Sequence, residues 1–378
     1  MITPSDLTLR EKFIRIRWLF VLAICGVAGI GIAMLYSAAG GHMEPWAIRQ
    51  LVRFAVALAM LIAVALSDLR LWMRWAYPLY AVALVLLVIV DFAGTIGMGA
   101  QRWIDLGFIN VQPSEVMKIA LVLALARYFH GMADEDVGRP WRLIVPVLMV
   151  MVPVALVLKQ PDLGTALMLL AGGTALFFAA GVRLWMFAIV LAGGLAVVPV
   201  GWGFLHDYQR RRVLTFLDPE SDPLGSGYHI LQSKIALGSG GLFGRGFMQG
   251  TQSHLNFLPE KQTDFIFTML AEEFGLVGSL GMLTLYAVIV GYCLAIALQA
   301  KSQFGRLLAM GITTTFFLYL FINMAMVMGL IPVVGVPLPL VSYGGTAIVS
   351  LMLGFGLVMC VFIHRDTMIS RHATGEER

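Results

Sequence analysis

The 378-residue chain is 59% hydrophobic and only 13% charged, with a mean hydropathy of +0.86, which excludes a soluble globular domain. Its formal charge of +4 is too small to point to nucleic acid. In a membrane protein the placement of Lys and Arg carries more information than their sum.

In chain order, apolar runs predict ten spans, at about Trp18–Tyr36, Trp46–Leu66, Trp75–Phe92, Ser114–Phe129, Trp141–Leu158, Leu163–Ala180, Leu184–Leu205, Phe265–Leu298, Phe304–Met328 and Gly344–Ile363. Most are close to the roughly 20 residues that cross a hydrocarbon core as a helix. The fold class is therefore all-α: a single polytopic membrane domain over residues 1–378, interrupted by one long extracytoplasmic loop at 207–263. Arg10, Lys12, Arg15 and Arg17 before the first span, and "SAAG" after it, resemble a secretory leader. The run is long and nine spans follow, so a retained anchor is expected. Cys25, Cys293 and Cys360 all fall inside spans and read as small buried apolar residues, not as a disulfide framework.

Lys and Arg crowd the loops on the N-terminal side, whereas the short connections on the other side hold only Arg49, Arg53, Arg102 and Lys159. Both termini are expected in the cytoplasm. The 207–263 loop is then outside. It is rich in Gly and contains "YHILQSKIAL", where Tyr228, Leu231 and Ile235 recur at helical spacing, as in a helix lying along the membrane surface. No Gly-Lys step is present, which argues against a Walker-type phosphate loop.

Ionisable groups at the edge of a span need a partner, a wet cavity or a task. In "QPSEVMKIA", Glu115 and Lys118 stand three residues apart on one helix face, fit either to pair with each other or to contact substrate. Asp162 in "KQPDLGTA" occupies a good N-cap position, the reading its place alone favours. Asp264 in "TDFIF" is followed at helical spacing by Thr268, Ala271 and Gly275, a small-residue face that would leave room beside the acid, with Glu273 on the opposite side. An N-cap role for Thr263 or Asp264 fits equally well. Arg210, Arg211, Arg212, Lys234, Arg245 and Lys261 gather on the same side, suited to anionic headgroups or a pyrophosphate. "GLIPVVGVPLPLVSYGG", with Pro332, Pro337, Pro339 and then Ser342, cannot stay helical and must be irregular backbone, either a site wall or a plug.

The segments "LPEKQTDFIFTMLAEEFGLVG", "KQPDLGTA", "QPSEVMKIA", "GYHILQSKIALGSGGLFGRG" and "GLIPVVGVPLPLVSYGGT" resemble, in order and spacing from about Ile14 to Arg365, the signatures of the SEDS family (shape, elongation, division and sporulation) of cell-wall glycosyltransferases. "GVPLPLVSYGG" is closer to the RodA elongation branch than to the FtsW division branch. The resemblance implies polymerisation of lipid II, the undecaprenyl-pyrophosphoryl disaccharide-pentapeptide, outside the bacterial cytoplasmic (inner) membrane. It implies a catalytic acid at Asp264, matches for the family's Glu and Lys at Glu115 and Lys118 and for its Asp at Asp162, and a class B penicillin-binding protein as partner. Arg210, Arg211, Lys234, Lys261 and Ser342 complete the candidate substrate-binding set. Gln262 stands where many relatives carry His, which argues against a His–Asp relay.

An α-linked pyrophosphoryl sugar attacked by a GlcNAc 4-hydroxyl gives a β-1,4 bond with inversion, for which one carboxylate suffices as general base. The retaining alternative would need a second. The leaving pyrophosphate calls for cations, from Arg and Lys or from a divalent ion such as Mg²⁺ or Mn²⁺ held by phosphate oxygens and one or two carboxylates. A lipid II flippase and a noncatalytic cell-wall scaffold are the competing readings. The first would be expected to show paired inverted halves, and the second leaves the outer polar cluster unexplained.

Overall fold

The structure is a computed structural model that describes residues 8–369 apart from 98–99, 106, 108–109, 134, 205–209, 211–213, 217, 219–225 and 252–259. A short helix, α1 (Leu9–Ile14), opens with a capping box in which Thr8 and Glu11 satisfy each other's backbone amides. Long helices follow: α2 (Trp18–Ala38), α3 (Ala47–Leu66), α4 (Leu69–Ala93), α5 (Pro113–Gly131), α6 (Pro140–Lys159), α7 (Leu163–Ala180) and α8 (Leu184–Phe204). After α9 (Ser226–Ser239) come α10 (Ile266–Gln299), α11 (Gln303–Val327) and α12 (Gly345–Ile363). All ten expected spans coincide with helices, and eight are long and apolar enough to cross a membrane. Of the other two, α8 contributes the apolar run Leu184–Gly194, and α5 carries Glu115, Lys118 and Arg127.

Burial sorts these helices into layers. α5, α11 and α12 are buried around most of their circumference, the pattern of central helices. α6 and α8 present Ile144, Leu148, Met151, Trp185, Ile189 and Leu191 outward, as helices at a lipid boundary do. α3 packs along α12, and α11 touches α5, α7 and α10. Between α4 and α5 the chain forms a small antiparallel sheet, β1 (Thr95–Gly97), β2 (Ala100–Asp105) and β3 (Asn110–Val111), in the order β1-β2-β3. Strands this short leave no readable alternation in the sequence, and the sheet was not anticipated.

α10 is 34 residues long, about 51 Å at 1.5 Å per residue, too long for one crossing of a core about 30 Å thick. It breaks at Gly275, whose φ of 65° and ψ of −159° are not helical. In an unbroken helix the amides of Leu276 and Val277 would bond to the carbonyls of Glu272 and Glu273. Here the segment after α9 completes both halves. Leu276 and Val277 donate to the carbonyls of Gly241 (2.9 Å) and Leu242 (3.1 Å), while Arg245 and Gly246 donate to those of Glu272 and Glu273 (both 3.0 Å). Such close backbone approach requires glycine. A Cβ on Gly240 would lie 2.0 Å from Ala271 O, and one on Gly244 2.1 Å from Glu273 O. Gly240 and Gly244 serve backbone contact with α10.

α9 is the helix expected from "YHILQSKIAL". Ile230, Ser233 and Ala236 form its buried face, and Ser233 bonds both Thr268 Oγ1 (2.9 Å) and Val327 O (2.8 Å). Leu231 and Ile235, the residues that defined its apolar stripe, face outward.

Candidate active site

The N-terminal ends of α3, α5, α7, α10 and α12 meet at one end of the bundle. Gln50 of α3 donates to Ser342 O before α12 (2.8 Å), and Tyr343 N donates to Gln262 O before α10 (2.8 Å). Gln112 before α5 reaches the Asp162 carboxylate before α7 (3.5 Å). The candidate acids Glu115, Asp162 and Asp264 therefore stand at helix N-termini on one side, as their positions in the sequence implied.

Asp264 lies in a turn, one residue before the N-cap of α10. That N-cap is Phe265, so neither Thr263 nor Asp264 occupies the cap position. Thr263 Oγ1 instead bonds within the turn to Glu260 Oε2 (3.1 Å) and O (3.2 Å). The Asp264 backbone is fixed by Asn323 of α11, which donates to Asp264 O (2.9 Å) and Val336 O (2.7 Å). Its carboxylate faces the 329–344 segment, where a Cβ on Gly335 would sit 3.5 Å from Asp264 Oδ2. The small face of Thr268 and Ala271 does not open a groove beside the acid. It receives α9 and its loop, with Ser233 on Thr268 and Gly240 against Ala271 O. Periodicity misled because Asp264 precedes the helix and Gly275 interrupts it. Glu273, set opposite in the sequence reading, is buried and accepts from Ser37 Oγ of α2.

The Pro-rich segment between α11 and α12 is irregular as expected, with Val336, Leu338, Leu340 and Val341 buried. Irregular backbone at membrane depth is tolerated when protein surrounds it. Tyr286 of α10 donates to Pro339 O (2.6 Å). Ser342 is a fastener: its hydroxyl donates to Thr263 O (2.5 Å) and accepts from Leu338 N (2.7 Å).

Glu115 and Lys118 form a buried pair at 2.7 Å. The hydroxyl of Tyr319 donates to the Glu115 carboxylate, 2.7 Å from Oε1 and 2.6 Å from Oε2, and contacts the Lys118 ammonium. Ser350 adds a bond to Glu115 Oε2 at 2.9 Å. Charge, hydroxyls and burial are thus matched across α5, α11 and α12, the condition under which a buried ion pair is tolerated. A small cavity lined by Tyr319, Pro337, Ser342 and Ile348 lies between this network and the turn that holds Asp264.

Asp162 is the N-cap of α7: its carboxylate accepts from Thr165 N (3.1 Å) and Thr165 Oγ1 (3.0 Å). Arg102 of β2 approaches it at 3.7 Å and donates to Gln160 O at 3.2 Å. Of the other candidate cations, Lys261 sits in the turn with Asp264, and burial pulls its ammonium below the ordinary lysine value. Lys234 is exposed on α9 and covers Gly329, where a Cβ would lie 2.9 Å from its Nζ. Arg210 folds back onto Gly203 O (2.7 Å), and Arg211 and Arg212 lie outside the described residues. Asn323, Tyr319 and Ser350 were missed. The single amide in the apolar run around Asn323 was a legible signal, because a polar side chain inside a span needs partners.

No group of three or more His, Cys, Asp or Glu side chains that could hold a metal occurs among the described residues.

The FtsW/RodA/SpoVE family model, described as a cell cycle protein, matches residues 14–367. The chain is 47% identical over 341 residues to peptidoglycan glycosyltransferase MrdB of Escherichia coli K12, covering 89% of this chain and 90% of that one. It is 37% identical over 350 residues to a probable peptidoglycan glycosyltransferase FtsW of Trichlorobacter lovleyi, covering 90% and 91%. Among solved structures, a chain of a peptidoglycan synthase complex that coordinates polymerization and crosslinking matches with TM-score 0.77 and 34% identity, over 93% of this chain and 98% of that one. The rod shape determining protein RodA of Thermus thermophilus matches with TM-score 0.71 and 29% identity, over 93% and 98%. With its motifs, its helices and its relatives in agreement over nearly the whole length, the chain belongs to the FtsW/RodA/SpoVE family.

Proposed function

We infer that this multi-pass membrane protein is a peptidoglycan glycosyltransferase that polymerises lipid II into β-1,4 glycan strands, with Asp264 as general base. The observation that carries the assignment of the base is the way Asp264 is held. Its backbone carbonyl is fixed by Asn323, while its carboxylate oxygen Oδ2 faces the irregular 329–344 segment at Gly335. Glu115 is enclosed in its own network and Asp162 is engaged as a cap.

In the reaction Asp264 takes the proton from the 4-hydroxyl of the acceptor GlcNAc as that oxygen attacks C1 of the donor sugar. The O4–C1 bond forms, the bond from C1 to the pyrophosphate oxygen breaks, and undecaprenyl pyrophosphate leaves with the electron pair. Inversion in one displacement needs no covalent intermediate. A divalent cation is proposed to arrive on the pyrophosphate itself. Orientation is part of the proposal: with the Lys- and Arg-rich loops in the cytoplasm, both termini are inside and Asp264 is outside. The partner is a crosslinking enzyme of the class B penicillin-binding type, by analogy with the synthase complex.

Purified Asp264→Asn protein tests the base. Asn keeps the size and leaves the Asn323 bond to the backbone intact, so folding and partner binding are expected to persist while polymerisation of labelled lipid II falls about 10²- to 10⁴-fold. Activity within severalfold of wild type would move the base to another residue.

A further inference from the structure

Four cations lie in or beside the short connections on the side that the charge pattern sets opposite the termini: Arg49 and Arg53 in the first turns of α3, Arg102 in β2 and Lys159 at the end of α6. Two are matched by acids, Arg102 by Asp162 (3.7 Å) and Lys159 by Asp91 (3.3 Å). Arg49 is exposed on α3. Arg53 is half-buried, about two turns inside α3, and pairs with no acid among the described residues. Its guanidinium lies 4.9 Å from the centre of the Tyr343 ring.

The position of Arg53 is electrostatically unusual. A Cβ on Gly345 would lie 3.2 Å from Arg53 Nε and 3.3 Å from its Cζ, so the guanidinium rests against the first residue of α12. That is the positive end of a helix, which favours anions, and cations belong at the opposite end. The N-cap, Gly344, supplies no side-chain acceptor. Two positive features thus face each other, and stacking on Tyr343 is a weak attraction beside that repulsion. The turn that carries Tyr343 is the one locked to the Asp264 segment, through Tyr343 N to Gln262 O (2.8 Å) and Ser342 Oγ to Thr263 O (2.5 Å). Gln50, one turn before Arg53, holds the same turn by donating to Ser342 O.

We propose that Arg53, stacked on Tyr343 at the start of α12, binds the pyrophosphate of a polyprenyl-pyrophosphoryl substrate. An anion there would satisfy both the guanidinium and the first-turn amides of α12. Arg suits the site because its planar fork can stack on a ring and still donate two parallel bonds to phosphate oxygens. Arg53 is a binding residue, and the role rests on the glycosyltransferase reading for its substrate.

Binding of undecaprenyl pyrophosphate, with undecaprenol as the uncharged control, is measured on protein in phosphatidylcholine nanodiscs, alongside lipid II polymerisation. Arg53→Gln is expected to weaken undecaprenyl pyrophosphate binding at least tenfold, to leave undecaprenol unchanged, and to raise KM for lipid II more than it lowers kcat. If Arg53→Gln melts early, Arg53→Lys decides: it keeps the charge but not the fork, and a severalfold loss is expected. Binding within twofold of wild type in a variant that melts like wild type overturns the proposal. So does a loss seen only when phosphatidylglycerol is added, which would assign Arg53 to lipid headgroups. If wild type fails to polymerise lipid II yet binds undecaprenyl pyrophosphate through Arg53, the site stands and the glycosyltransferase reading falls.

Discussion

Asn323 donates one amide hydrogen to Asp264 O and the other to Val336 O, so a single side chain joins the turn before α10 to the segment before α12. Four residues earlier on α11, Tyr319 binds Glu115. One face of α11 thereby sets the spacing between the candidate base and the buried ion pair. Asn323→Leu leaves two carbonyls unsatisfied, and an unpaired buried acceptor costs about 1–3 kcal/mol. The melting temperature should fall, and lipid II polymerisation should fall further than the folded fraction accounts for. Asn323→Asp should fare no better, because an ionised carboxylate cannot donate. Wild-type turnover in either variant would show that Asp264 is held by other contacts.

The Glu115–Lys118 pair permits a double-mutant test. Lys118→Met alone strands a buried carboxylate with only hydroxyl donors, Tyr319 and Ser350, and removing one partner of a buried pair typically costs about 3–5 kcal/mol. Glu115→Gln combined with Lys118→Met removes both charges and should recover most of that loss. Thermal denaturation of the four proteins in detergent measures the coupling. Recovered stability with absent polymerisation would show that the charges also serve the substrate; recovery of both would make the pair purely structural.

The completed helix break predicts a contrast between neighbouring glycines. Gly241 (φ +54) has open space around a built Cβ, whereas a Cβ on Gly244 (φ +81) would lie 2.1 Å from Glu273 O. Gly241→Ala should cost about 1–2 kcal/mol, the price of a left-handed residue with a side chain. Gly244→Ala must in addition separate two backbones, and should expose amides of α10 to hydrogen exchange. Equal melting temperatures for the two variants would contradict the contact.

His364, the C-cap of α12, has Nδ1 2.9 Å from Cys360 O. Burial is the largest influence and pulls its imidazole below the ordinary 6.5; Cys360 O opposes it, Lys12 and Arg15 reinforce it and Asp68 opposes it. The unfolded chain then takes up a proton that the folded chain resists, so the histidine's contribution to stability is lost as pH falls below about 6.5. Melting temperature should drop between about pH 6.5 and 5, with a shallower slope in His364→Gln. Parallel slopes would refute the assignment.

Length and apolar runs placed all ten long helices, because a membrane span is written in composition. The acids were also legible as a group, since helices that alternate in direction bring Glu115, Asp162 and Asp264 to one end. Their individual states were less so. Asp162 as a cap follows from local sequence, but the Glu115 network depends on Tyr319 and Ser350, about 200 residues away in the chain. Asp264 was misjudged at the level of helix phase: the angular argument assumed an unbroken helix starting at the acid, whereas α10 begins at Ile266 and breaks at Gly275. Spacing cannot reveal such a break when the bonds that permit it come from another segment.

The segment that completes α10 precedes the break in the chain. Residues 241–246 are synthesised before Gly275, so when the two halves of α10 emerge, the donors and acceptors they lack already exist. Bare amides and carbonyls in lipid cost several kcal/mol each, and a helix with such a gap could not rest stably in the bilayer by itself. Reversing the order, for example in a circular permutant that opens the chain between α9 and α10 and joins the natural ends, would make the broken helix wait for its complement. Such a protein should reach the same fold at equilibrium but insert poorly during translation. Chain direction, as well as residue content, thereby decides how this membrane protein shelters its backbone.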